Sequence, residues 1–123
     1  FLFREPGVRN EEILDIHLNN KKPTVLISPS MSHGVDLKDG LARFQIIIKA
    51  PYLPTKDKRI ERLMKDDFNW YSNKMLCSVI QSCGRGIRSK KDYCTTYILD
   101  GAVVESVVNN KHKLPKYFID RFL

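Results

Sequence analysis

The segment Gln81-Ser82-Cys83-Gly84-Arg85-Gly86-Ile87-Arg88-Ser89 carries the residues best suited to chemistry on a polyanion. Two arginines three residues apart stand among two glycines. Guanidinium forks bind phosphate in bidentate fashion and stay charged at any relevant pH. Gly84 and Gly86 let the backbone leave a helix and leave room beside a bulky anion. A plainer account is a glycine that ends a helix beside solvated arginines, since cations favour helix C-termini. That account covers one glycine and one arginine, but poorly the whole Gln81-x-x-Gly84-Arg85-x-x-Arg88 spacing.

A second polar cluster runs Ser28-Pro29-Ser30-Met31-Ser32-His33-Gly34-Val35-Asp36-Leu37. Short hydroxyls, free backbone N–H groups and a glycine suit contact with phosphate oxygens. Asp36 is able to accept from a ribose hydroxyl or to hold an arginine. Taken alone, the same residues read first as a polar turn in which Asp36 or Asp39 caps a helix. His33 has no carboxylate or nucleophile paired with it in the sequence and reads as a loop hydrogen-bonder.

Helical and strand patterns alternate around these clusters. Asn10, followed by Glu11, Glu12 and the apolar positions Ile13, Ile16 and Leu18, predicts a capped helix with an acidic start that ends at Lys21-Lys22-Pro23. Thr24 to Ser28, Phe44 to Lys49 and Thr95 to Leu99 are short apolar runs expected as strands buried on both faces. Lys56 to Lys65 predicts a charge-rich helix. Its interleaved Asp57, Glu61, Asp66 and Asp67 point to a solvated face rather than a nucleic-acid groove. Phe68 to Cys83 predicts the longest helix, with Trp70, Lys74, Cys77 and Gln81 on one rail and Tyr71, Met75, Leu76, Val79 and Ile80 toward a core. Trp70 and Tyr71 have faces on which bases can stack, but Tyr71 reads first as core. Asp100 is placed to cap a helix running through Val108, and Pro115 to Leu123 suggests a last amphipathic turn or two.

Strands separated by helical segments predict an α/β domain with a mainly parallel sheet and helices on both faces. Ligands of such sheets bind beyond the carboxyl ends of the strands. Both clusters, after Ser28 and between Gln81 and Asp92, are expected at those ends.

With these residues in view, Ser30 to Leu37 followed by Arg43-Phe44-Gln45-Ile46-Ile47-Ile48-Lys49-Ala50-Pro51-Tyr52 resembles motif V and its continuation in superfamily 2 helicases of the DinG/XPD-like, iron–sulfur type. Gln81 to Arg88, then Asp92-Tyr93 and Ile98-Leu99-Asp100, resembles motif VI and the strand after it. The resemblance runs in order from about Pro23 to Asp100 and implies a RecA-like fold, the second motor domain of such a helicase. Residues 1–123 are then one domain, with motif V at about 28–37 and motif VI at about 81–88. The resemblance implies an ATP-dependent motor moving 5′-to-3′ on single-stranded DNA. ATP would sit in a cleft between this domain and the first RecA-like domain of the same protein. Arg85 and Arg88 would reach the phosphates, with Arg88 the better candidate for the arginine finger. Gln81 would orient the arginines or the attacking water, and Gly84 would give the turn its room. Gly34 and Asp36 would couple the nucleotide cleft to the DNA track. Ser30 and Ser32 would contact DNA phosphates, and Lys90, beside Lys91, would raise the local positive potential.

The chain has no G-x-x-x-x-G-K-[ST] loop and no D-E-A-H-like acidic box. Binding of ATP and Mg²⁺ is therefore assigned mainly to the first motor domain. A family iron–sulfur cluster would belong there too, because Cys77, Cys83 and Cys94 are too few and wrongly spaced for one. Reduced thiols fit a cytoplasmic or nuclear protein. Phe1 in place of an initiator Met suggests a piece of a longer polypeptide, whose opening strand is expected upstream. The isolated chain is then expected to be inactive. A competing reading is a non-catalytic basic nucleic-acid-binding or regulatory module that keeps the motor-domain fold.

Composition excludes other classes. With 123 residues, 42% of them hydrophobic and 28% charged, the chain supports one real core and is neither disordered nor low-complexity. No apolar run reaches the roughly 20 residues needed to cross a bilayer. Lys and Arg number 21 against 14 acids, and the net charge of +7 suits contact with a polyanion.

Overall fold

A computed structural model describes residues 1–3, 7–29, 41–87 and 92–122. These residues group into two compact units, 1–36 and 37–123.

The first unit opens with strand β1 (Leu2–Phe3), which pairs in parallel with β2 (Leu26–Ile27). β1 has no counterpart in the sequence reading, because two residues are too few to show any periodicity. Between them lies helix α1 (Asn10–Asn19), with Ile13 buried. Asn10 is the first helical residue rather than the cap. Arg9 stands at the cap position, and its Nε donates to Glu12 Oε1 at 2.8 Å. His17 Nδ1 and Thr24 Oγ1 lie 2.6 Å apart, tying the end of α1 to the approach of β2.

The second unit contains β3 (Phe44–Ile47), α2 (Lys58–Asp66), α3 (Phe68–Cys83), β4 (Thr95–Ile98), α4 (Gly101–Asn109), a 3₁₀ turn over Lys111–Lys113 and α5 (Lys116–Ile119). β3 and β4 pair in parallel, Phe44 opposite Thr95 through Ile47 opposite Ile98. The α/β class with parallel strands is therefore as expected.

Capping chemistry sets the boundaries of the helices. Asp57 accepts from Arg59 N to start α2, and Asp67 accepts from Trp70 N at 2.9 Å to start α3. Asp67 N donates to Leu63 O at 2.8 Å, so one residue closes α2 and opens α3. The charged face of α2 is solvated as predicted, with Lys65 2.6 Å from Glu61 and Arg62 3.6 Å from Asp66. Asp100 starts α4 by accepting from Ala102 N at 3.0 Å, and its other oxygen accepts from Ala50 N at 2.8 Å. The carboxyl ends of β3 and β4 are thereby joined by one carboxylate.

The core is built by α3 and α4. Met75, Leu76, Val79, Val103, Val107 and Phe118 are buried together, and Ile47 and Ile98 pack against them from the sheet. Tyr71 is core as expected. Its ring stacks on Tyr52 with centroids 5.1 Å apart, and its hydroxyl donates to Leu53 O at 2.7 Å.

Two expectations need correction. The strands are not buried on both faces. β3 and β4 alternate between exposed and half-buried residues, leaving Phe44, Ile46 and Tyr97 about half exposed. Among the described residues, the helical core packs on the face carrying Ile47 and Ile98, so side chains of period two divide between two environments. The arginine segment also does not lie at the carboxyl ends of its strands. It follows α3 and feeds into the start of β4, at the amino ends of β3 and β4. A parallel pair joined through a helix requires this, because the chain must return to the starting side before its second strand begins.

Candidate functional site

The longest helix delivers the arginine segment. Its last turn carries Gln81, Ser82 and Cys83, and Gly84 caps it in ordinary right-handed geometry with its N–H on Ile80 O at 3.2 Å. Arg85 N then donates to Ser82 O at 3.2 Å, and Ile87 N to Gly84 O at 3.4 Å. These bonds use carbonyls that a helix C-terminus otherwise leaves without partners. Arg85 is half-buried. Gln81 is exposed on the same rail as Cys77 and borders a surface recess shared with Lys113 and Pro115. Gln81, Gly84 and Arg85 are thus brought together at one helix end. Arg88 and Lys90 lie outside the described residues, as do Ser30, Ser32, Gly34, His33 and Asp36.

Gly86 is the tightest point of the turn. A Cβ built there would fall 2.6 Å from both Cβ and Sγ of Cys94 and 3.4 Å from Ala42 O. Its need for glycine comes from this close approach. No cysteine forms a disulfide: Cys77 is exposed, and Cys83 and Cys94 are half-buried. Burial pushes both of the latter thiols above their ordinary range, and the nearby Asp92 charge adds to the effect at Cys94. Cys83 is therefore the small packing residue that its place in the segment predicts.

Two residues to which the sequence reading gave no role of their own bind the arms of this loop. Gln45 Nε2, on β3, donates to Ser82 O at 2.9 Å and to Thr96 Oγ1 at 2.7 Å. Arg43 Nη1 donates to Asp92 Oδ1 at 2.7 Å and to Tyr93 O at 3.2 Å. Its guanidinium also lies 4.5 Å from the Tyr93 ring centroid. The Asp92 side chain is 1% exposed, so this contact compensates a nearly buried carboxylate. The available signal was strand alternation: Gln45 and Ile47 share the half-buried face of β3, and Gln45 is a polar residue on it.

Among the described residues, no group of three or more His, Cys, Asp or Glu side chains is placed to hold a metal ion. No described helix is long and apolar enough to cross a membrane.

The model of the helicase C-terminal domain family matches residues 2–119. The chain belongs to this family. The family agrees with the resemblance to DinG/XPD-like helicases. The ATP-dependent DNA helicase CHL1 of Kluyveromyces lactis is 30% identical over 121 residues, covering 81% of this chain and 15% of that protein. The helicase of the same name from Debaryomyces hansenii is 33% identical over 126 residues, with 80% and 15% covered. The regulator of telomere elongation helicase 1 homolog of Caenorhabditis elegans is 30% identical over 86 residues, 57% of this chain and 9% of that protein. The chain thus spans 15% of the length of the two CHL1 helicases.

Proposed function

We propose that this helicase C-terminal domain is the second RecA-like motor domain of an ATP-dependent DNA helicase that moves 5′-to-3′ along single-stranded DNA. In this reading, residues 1–123 act as one domain, and the motif VI arginines complete an ATP site whose other wall is the first RecA-like domain. The observation that carries the reading is the Gln81-x-x-Gly84-Arg85-x-x-Arg88 spacing on the end of α3. Its turn is held from two directions, by Gln45 and by the close contact of Gly86 with Cys94.

ATP and Mg²⁺ are bound mainly by the first domain, which would also carry any iron–sulfur cluster of the full-length protein. Arg88 acts as the arginine finger and Arg85 as its companion on the triphosphate. As the terminal phosphoryl group transfers to water, negative charge spreads over its oxygens. A preorganised guanidinium stabilises that charge more than it stabilises the ground state. Gln81 orients the arginines or the attacking water, and Gly84 leaves the room they need. Gly34 and Asp36 link the nucleotide cleft to the DNA track, where Ser30, Ser32 and Lys90 meet phosphates. A cytoplasmic or nuclear setting follows from an activity on DNA.

The test is DNA-stimulated ATP hydrolysis by the full-length helicase carrying Arg88→Ala or Arg85→Ala. Loss of an arginine finger costs on the order of 10³–10⁵ in kcat in well-studied phosphoryl-transfer systems. A loss approaching that range is expected for Arg88→Ala, with a smaller one for Arg85→Ala. Retention of full kcat by both would exclude the assignment. The isolated chain is expected to turn over no ATP. A turnover that Arg88→Ala abolishes would show that the site is complete without another domain.

A further inference from the structure

We propose that Gln45 is a positioning residue for the arginine turn, holding Arg85 in place through the Ser82 carbonyl, with Arg43 securing the far arm of the same loop. This rests on the reading that the motif VI arginines act on ATP.

The side-chain amide of Gln45 has two N–H bonds to give. One goes to Ser82 O at 2.9 Å and the other to Thr96 Oγ1 at 2.7 Å. Ser82 O also accepts the Arg85 backbone N–H at 3.2 Å. Ser82 O thus receives the strand through Gln45 and the turn through the Arg85 N–H, with the Gly84 N–H also directed at it. The direction of that C=O therefore sets where the Arg85 backbone lies, and Gln45 fixes the direction from outside the helix. Ser82 has little freedom of its own, since its hydroxyl donates to Ser78 O at 2.8 Å. Thr96 is the cross-strand neighbour of Gln45, so the second bond pins the amide to the sheet.

Beyond Arg85, Gly86 is pressed onto Cys94, where even a methyl group would collide. The far arm is held by Arg43, which immediately precedes β3, through Asp92 Oδ1 at 2.7 Å and Tyr93 O at 3.2 Å. Gln45 and the residue that leads into its strand thus hold the described parts of the loop, at Ser82 and at Asp92 and Tyr93. Catalysis by a preorganised cation needs this, because displacing a reacting group by about 1 Å costs up to roughly 100-fold in rate.

The experiment compares Gln45→Leu, Arg85→Ala and the double variant in the full-length helicase, reading kcat for ATP hydrolysis together with the melting midpoint. Leu fills the space of Gln45 and donates nothing. Gln45→Leu is expected to lower kcat by roughly 10- to 100-fold. In the Arg85→Ala background, it should cause little further loss, since it acts through that arginine. Arg43→Lys, which keeps the charge but loses the fork, is measured in the same pair of backgrounds. It carries the test should Gln45→Leu not fold. Unchanged kcat in both variants, or losses that multiply in the double variants, would overturn the proposal. If Arg85→Ala and Arg88→Ala slow hydrolysis while Gln45→Leu and Arg43→Lys do not, the positioning role fails and the arginine assignment stands. If neither Ala variant slows it, the assignment itself fails, and the positioning role with it.

Discussion

Asp100 shows how much one side chain contributes in this domain. Its carboxylate accepts from Ala50 N at 2.8 Å and Ala102 N at 3.0 Å, joining the exit of β3 to the first turn of α4. The Ala50 backbone N–H, then that of Ala102, hold the carboxyl below its ordinary value of 3.8. A folded-state pKa below the unfolded one means that the stabilisation is complete above the ordinary aspartate range and is lost as pH falls through the folded value. Asp100→Asn is therefore expected to lower the melting midpoint at pH 7. The gap from the parent should narrow as pH is taken below 3.8, as thermal melts across an acid series would show. A gap independent of pH would mean that the carboxylate charge plays no part.

At the scale of elements, the turn after α3 has a geometry that constrains its sequence at Gly86. Gly86→Ala would put a methyl group 2.6 Å from Cβ and Sγ of Cys94, so the turn or the start of β4 must shift. Overpacking of this kind typically costs about 1–3 kcal/mol, and denaturant unfolding should register it. Cys94→Gly combined with Gly86→Ala should recover part of that loss by removing the colliding atoms. If the double variant is simply the sum of its parts, the close approach is not what demands glycine. The long helix and the strands it serves were legible because apolar residues recur with the helical period from Phe68 to Cys83 and with β-branched character in the strands. The Gln45 bonds were not legible, because they join residues 37 and 51 positions apart in the chain.

For the molecule as a whole, the excess of 21 basic over 14 acidic residues means that the DNA contact of the proposed function would be mainly electrostatic. Binding of labelled single-stranded DNA to this chain should be weak, and the logarithm of its association constant should fall linearly with the logarithm of salt concentration. The expected slope is about −0.7 for each phosphate neutralised. Tight binding insensitive to salt would point instead to base stacking. Trp70, half-buried with Lys74 Nζ 5.8 Å from its ring centroid, would then be the first residue to examine.

Family membership, the arginine spacing, the α/β class and the course of α3 were all determined by the sequence itself. Each is a local pattern or a local spacing, and neighbouring residues express it without reference to the rest of the chain. Only the tertiary structure decided that the arginine turn lies at the amino ends of β3 and β4, and that the described residues of those strands alternate between exposed and half-buried. It also decided that Arg43 and Gln45 hold the loop. Those outcomes depend on which segments meet after the chain has folded back, and side-chain bonds across such distances leave no periodic trace along the chain.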